Sequence, residues 1–548
     1  MYKNITRFFK LGGIFIKYRI FLISILSAIM LLSGCSKPVE NKPVDNEVVT
    51  EEQPEQTEDE NKEERFYTNY NATVEFSPDT NSIKGIEKIT YKNTTSKKQH
   101  EIYMNIYANS FNEDSPILPY ANAISQELSH SINEYANFNI SSLTVGGKEV
   151  SYSVSGSSLC IQLPETLEVN GETEIAVQFE SSIPNMSYAG LGKNENIFWT
   201  GNIIPVMAVY DNYGWNKSVV YPLWDTNYND IGNYTISIKT PEEYTVLGTG
   251  NELVNSSDGV KTTVVEGKFI RDFAFAIGKN LKTKSIQKDE NSTKINVYYY
   301  SDDTPMVDLI LENVSNMVDY YGKICGTYPY SHIDIVETSL YRPDNAQFSG
   351  MAFVDESFFS ADADINSFVL DFDLGYQWFS GIVETDVKKE PWIREGLSEF
   401  LNARFLYGED GIDAYMEVEY ANLKGLIEGE KHQALSTPPT KYTTEESFET
   451  VQRKKSAMMM YALYNKIGAE KFDEFLKTYV SEYSFKTATS NEFFRTAEDV
   501  YGKSLYSFFN DWVNGNKLPK VHFDTAIDEV PDTVEEENQT TTDDIVVE

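Results

Sequence analysis

The stretch from Asp371 to Phe400, DFDLGYQWFSGIVETDVKKEPWIREGLSEF, has the spacing that metal-assisted hydrolysis needs but not the ligands. Two side chains at i and i+4 of a helix leave from one face. Two His so placed grip one ion, a Glu beside the first acts as general base, and a distant Glu is the third ligand. Here Phe372 and Tyr376 take the two ligand positions, Asp373 takes the place of the base, and eighteen residues separate Tyr376 from Glu395. A phenyl ring offers a metal nothing. Asp373, Glu395 and the Tyr376 hydroxyl offer oxygens only, a set suited to a weak hard-cation site rather than to catalytic zinc. The five His are His100, His130, His332, His432 and His522, and none lies within thirty residues of Phe372. The sequence therefore predicts no metal and no catalytic residue at this centre.

Periodicity indicates the elements that must carry these residues. Asp364 is placed to cap a helix whose apolar stripe runs Ile365, Phe368, Val369, Phe372, Tyr376, Phe379 and Val383. Phe372 and Tyr376 extend this stripe, so their rings are expected to fill the space an ion would take. Upstream, Thr304-Pro305 predicts an N-cap and first helical position, followed by Val307, Ile310, Leu311, Val314, Met317, Val318 and Tyr321 at one-face spacing. A strand is expected at Ile333 to Val336 and another over Phe348 to Val354. The earlier half alternates with period two at Ala72/Val74/Phe76, Ile102/Met104/Ile106, Ile175/Val177/Phe179, Tyr234/Ile236/Ile238 and Ile295/Val297/Tyr299. Turn signals such as Val145-Gly146-Gly147-Lys148 separate these strands.

Gln377, Trp378, Phe379, Trp392, Glu395 and Gly396 carry a resemblance. With them the segment resembles the aminopeptidase N-like zinc aminopeptidases, peptidase family M1 of the gluzincin group, whose site is HExxH, eighteen spacer residues and a Glu within W-x-x-E-G. The resemblance spans about 66–515 and is strongest at 349–354, 371–400 and 451–479. It implies an α+β fold: an N-terminal antiparallel, saddle-like β domain at 66–290, then a thermolysin-like, mostly helical domain at 291–522. It leaves no room for the large C-terminal helical domain of longer members, so an open cleft is expected. In the family an edge strand, G-x-M-E-N, pairs with the substrate backbone, and its Glu binds the free α-amine. Gly350 and Met351 fit that pattern, and Ala352 stands at the Glu. Arg453 takes the place of the Tyr that stabilises the oxyanion. Both ligand His, the base, the amine anchor and this Tyr are thus altered, and Glu395 alone of the chemical set is kept. The resemblance implies a degenerate member with Gly350, Met351, Phe372, Asp373, Tyr376, Glu395 and Arg453 lining a cleft. A carboxylate at 395 without its ion needs a partner, because an isolated buried charge is costly. Arg453 is expected to supply the missing positive charge by pairing with Glu395, Asp373 or both.

Charge and the two ends bound the remaining functions. A formal charge of −38 excludes nucleic acid as a partner by any general electrostatic route. Residues 1–35 contain five Lys or Arg and no acid, then an apolar run from Ile20 to Leu32 that is too short to span a bilayer, closing on Leu32-Ser33-Gly34-Cys35. This reads as a lipoprotein signal peptide with Cys35 as the lipidated residue. Membrane attachment through that lipid, outside the cytoplasm of a bacterium, follows as an expectation. Residues 36–65 and 523–548 are acidic and poor in apolar residues, and read as a disordered tether and tail. Cys160 and Cys325 remain, with pairing left open. The function expected is a surface-tethered, non-cleaving peptidase-like protein that binds a peptide or an envelope partner. The alternatives are an active zinc aminopeptidase with an atypical site, which alone would call for zinc, and a structural envelope subunit that binds no peptide.

Overall fold

The computed structural model describes residues 65–523, apart from 115–134, 186, 189, 218–226, 303 and 341–344. The signal segment, Cys35, the tether up to residue 64 and the tail from 524 lie outside the described residues. So does His130.

The first half is built of strands that bury one face. In Thr68–Ser77, the side chains of Ala72, Val74 and Phe76 go inward while those between them stay in solvent. This strand pairs antiparallel with Ser82–Lys92 across the turn at Pro78 to Asn81 and parallel with Gly232–Pro241. An eight-stranded sheet results, and the inward faces of Ile175, Val177, Ile236 and Ile238 complete its core. A five-stranded sheet that includes Ile197–Gly201 and Ala274–Lys279 packs beside it.

The second half opens with another five-stranded sheet, in the order Lys282–Ile286, Lys294–Tyr299, His332–Thr338, Met351–Asp355, Asn345–Phe348. It starts at Lys282, inside the stretch assigned from sequence to the β domain. The helix Pro305–Cys325, with Thr304 as N-cap and Pro305 in its first turn, covers one face through Val307, Ile310, Val314, Met317 and Tyr321. The other face meets the first half through Val336, Phe348, Met351 and Phe353 against Ile197, Trp199, Ala274 and Ala276. Phe348 sits where Gly190 and Gly201 leave room. A Cβ on Gly201 would lie 2.2 Å from its ring.

Two sequence expectations are corrected here. The segment 348–354 is not one edge strand. Ser349 and Gly350 form a tight turn, with Gly350 at φ 75°, and Met351–Asp355 lies inside the sheet, flanked on both sides. The edge belongs to Asn345–Phe348. The helix expected from 365 through 383 is also broken. It runs only from Ile365 to Asp371, capped by Asp364, and Phe372 is already extended at φ −76°, ψ 103°. The chain turns at 373–375 and resumes as a π-helical turn, Gln377–Ile382.

Downstream, the long helix Trp392–Ile427, kinked at Gly408, crosses the helix Ser456–Ile467. Helices Ala469–Tyr483, Ser490–Tyr501 and Tyr506–Val513 close the helical half. Both remaining cysteines are free, Cys325 buried and Cys160 half-buried.

Candidate functional site

The broken helix determines what faces the centre. Asn402 donates from Nδ2 to the Phe372 carbonyl at 2.8 Å and more weakly to that of Leu370, taking up acceptors that a continuing helix would have used. Gly375 lies against Ser398, where a Cβ would be 2.8 Å from the Ser398 Cα. The turn is thereby pressed onto the long helix. Gly396 does the same toward the helix Ser456–Ile467, since a Cβ there would lie 2.7 Å from Ser456 backbone and side-chain atoms. The Gly of W-x-x-E-G is thus a packing requirement between the two helices.

Phe372 is buried and stacks on Phe368, with ring centroids 4.9 Å apart, in the helical core. Tyr376 points at the surviving carboxylate, its hydroxyl donating to Glu395 Oε2 at 2.6 Å. Arg394 closes this group from the other side. Its guanidinium lies over the Tyr376 ring at 4.3 Å, and Nη2 donates to Glu395 Oε1 at 3.3 Å. Of the two rings expected to fill the ion's space, Tyr376 bonds to Glu395 while Phe372 packs on Phe368.

A second group adjoins the first. Arg453, in the π-helical turn Glu449–Lys455, presents two nitrogens to Asp373 at 2.9 and 3.2 Å and donates from Nε to Glu399 at 2.7 Å. Of the two partners expected for Arg453, the structure gives Asp373 a direct pair. Glu395 interacts with Arg453 only through the field, with no hydrogen bond between them. Such a two-pronged guanidinium–carboxylate pair is among the stronger polar contacts in proteins. Burial pushes the Asp373 carboxyl up to about 6, with Arg453 pulling it down and Glu395 pushing it further up. Asp371, at the end of the preceding helix, is likewise raised to about 6 by burial against the pull of Arg453. Burial, then Glu395 and Asp373, holds the Tyr376 phenol well above its ordinary range, so it stays a donor.

Gly350, Met351 and Ala352 lie one element away. The side-chain amide of Gln377 binds this region to the π-helical turn. It accepts from Tyr328 at 2.6 Å and from the Gly350 N–H at 3.0 Å, and donates to the Phe348 carbonyl and to Gln347 Oε1, both at 2.8 Å. Ala352 is the direct cross-strand partner of Gln347. The edge-strand residue opposite Ala352 is therefore Gln347, a neutral amide joined to Gln377.

Sequence reasoning missed Arg394, Glu399, Asp371 and Gln347. Glu399 was within reach, because it stands four residues after Glu395 and so on the same helical face. Arg394 was not, because adjacent helical residues diverge and only its long side chain brings the guanidinium back. Gln347 was hidden by the misplaced strand.

A zinc ion of the HExxH type does not fit these residues. The first ligand position is a core phenyl group, the second is a phenol engaged with Glu395, and two guanidinium groups already face the carboxylates. Among the described residues, no group of three or more His, Cys, Asp or Glu is arranged to hold a metal ion.

Residues 310–512 match the family model described as the peptidase family M1 domain. Among curated proteins, leucine aminopeptidase 2 of Chaetomium globosum is 23% identical over 239 residues, covering 39% of this chain and 38% of that protein. Human endoplasmic reticulum aminopeptidase 2 is 20% identical over 360 residues, covering 61% and 36%. The chain thus spans less than two fifths of the length of these relatives. Among solved structures, an M1 zinc metallopeptidase from Deinococcus radiodurans superposes with a TM-score of 0.60 at 14% identity, covering 83% of this chain and 94% of that one. A mutant of that enzyme bound to a Tyr-Ser-Ala substrate gives 0.61 at the same identity and coverage. At this identity the likeness establishes the fold: β sheets followed by a helical half, as in those enzymes.

Proposed function

We propose, starting from the match of residues 310–512 to the peptidase family M1 domain, that the chain is a non-cleaving M1 aminopeptidase-like protein that binds a peptide or envelope partner through the inherited cleft. The observation that carries this reading is the Arg453–Asp373 pair at 2.9 Å. A carboxylate held by a guanidinium is poorly placed to act as a base. Without a zinc ion as Lewis acid, attack on a peptide carbonyl would lose its nucleophile and its charge stabilisation together.

The outer edge of Asn345–Phe348 supports peptide binding. Among the described residues no strand pairs with its outer side, and an extended segment could add there by backbone hydrogen bonding. Neutral Gln347 on that edge offers no charge to a free amine, so preference for an unblocked N-terminus should be weak. We place the protein outside the cytoplasm, anchored through a lipid on Cys35. Incorporation of labelled fatty acid that disappears in Cys35→Ala is the check on that point.

The test of the main reading is zinc content after dialysis, together with turnover of aminoacyl fluorogenic substrates by the mature chain. We expect no stoichiometric zinc and no chelator-sensitive turnover. One zinc per chain with turnover abolished by chelator would replace this reading with that of an active aminopeptidase.

A further inference from the structure

We propose that the Arg453 guanidinium is a tethered replacement for a divalent ion: it holds three chain segments around the carboxylates of the site and closes the centre to metals by occupying it with fixed positive charge. This rests on the non-cleaving reading above and deepens it by naming what does the ion's structural work.

Geometry carries the argument. Asp373 lies in the turn that interrupts the helix after Asp371, Glu399 lies in the first turns of the long helix from Trp392, and Arg453 lies in the turn Glu449–Lys455. Arg453 bonds the first two segments from the third. No hydrogen bond or ion pair links Asp373 directly to Glu399. The carboxylates of Asp371, Asp373, Glu395 and Glu399 all face this group from the helix end, the turn and the long helix. Arg394 engages Glu395, and Arg453 engages Asp373 and Glu399. Without Arg453, those two acids would be left as uncompensated like charges, half or fully buried, a costly arrangement. A divalent ion relieves such crowding in other proteins by bridging oxygen ligands. Here a side chain supplied by the chain itself does so, at no dependence on ion supply. Arg453 is in this sense a positioning residue.

The experiment compares the mature wild-type chain with Arg453→Gln, Arg453→Lys and the double variant Asp373→Asn/Arg453→Gln. Thermal melting is followed with and without millimolar MnCl2, and Mn2+ binding is followed by calorimetric titration. The wild type is expected to bind no Mn2+ at this centre and to melt unchanged in its presence. Arg453→Gln is expected to melt roughly 5 °C or more lower, to bind Mn2+, and to regain part of the loss on binding it. Arg453→Lys should fall between, keeping charge but not the two-pronged geometry. The double variant should be more stable than Arg453→Gln without any ion. If Arg453→Gln fails to fold, a soluble double variant supports the proposal, and an insoluble one overturns it. Melting of Arg453→Gln with the wild type, or its loss unrelieved by both Mn2+ and Asp373→Asn, also overturns it. A wild type free of zinc with an indifferent Arg453→Gln sinks this inference alone, whereas zinc in the wild type sinks the functional reading first.

Discussion

The Tyr376 hydroxyl donates to Glu395 at 2.6 Å, so the one retained member of the family's chemical set is held by a phenol. Glu395 is buried, and among the described residues it is held by this bond and the longer one from Arg394. Replacing Tyr376 with Phe removes the shorter bond and leaves an under-satisfied carboxylate in the interior. We expect a loss of about 1–3 kcal/mol in chemical denaturation. Glu395→Gln in the Tyr376→Phe background should return part of it, because the buried charge is gone.

Restoring both imidazoles is expected not to restore the metal. In Phe372→His/Tyr376→His, residue 372 still leaves an extended backbone position rather than a helix, and two guanidinium groups still face the carboxylates. Zinc bound after dialysis should match the wild type. A tightly held ion in this variant would show that the turn at 373–375 can rewind.

Acid should stabilise this protein over a range where many proteins are indifferent. Burial raises Glu384 to about 8, Asp334 and Glu252 to about 7, and Asp371 and Asp373 to about 6. A carboxyl whose folded pKa lies above its unfolded value binds more protons when folded. Its favourable contribution is complete below the unfolded pKa and is lost as the pH rises through the folded one. The denaturation midpoint should therefore increase as the pH falls from about 8.5 to about 5.5. Self-repulsion from a charge of −38 acts in the same direction. A midpoint that falls over this window would contradict the burial argument.

Much of this framework is legible from residue order alone. Thr304-Pro305 starts its helix, Asp364 caps the next, and the alternation in 72–76 gives a strand of the predicted face. These signals are local, since capping and periodicity act within a few residues. The break at Phe372 is not local. It depends on Asn402 taking the Phe372 carbonyl, 30 residues away, and on Gly375 meeting Ser398, 23 residues away. The stripe read through 372 and 376 is apolar in either conformation, so periodicity could not see the interruption. The edge strand differs from expectation for a simpler reason. The family pattern puts Gly350 within a strand, whereas Ser349-Gly350 is itself a turn signal with Gly350 at positive φ.

Gly396→Ala should destabilise by about 1–3 kcal/mol through overpacking, although it touches no charged group of the site. The added methyl meets Ser456 side-chain and backbone atoms. Ser456→Gly should therefore rescue part of the loss and not all of it. Full additivity of the two changes would show that the helices separate freely.

Arg271 and Glu384 form a second buried pair, 3.7 Å apart and both 0% exposed, between the strand half and the helical half. Arg271 also donates to the Asn229 carbonyl at 2.8 Å. Above about pH 8, where Glu384 is ionised, Arg271→Met should cost about 3–5 kcal/mol, and adding Glu384→Gln should return much of it. Equal stability of the single and double variants would mean that Arg271 acts through the carbonyl alone.

Phe348 anchors one end of the outer edge in the hollow left by Gly190 and Gly201, and Gln377 ties the same hairpin to the opposite wall. The hairpin is thus braced from both flanks. Under the proposed function, a segment adding to this edge would meet a rigid template and would have to bring the matching shape itself, so recognition should discriminate by contour.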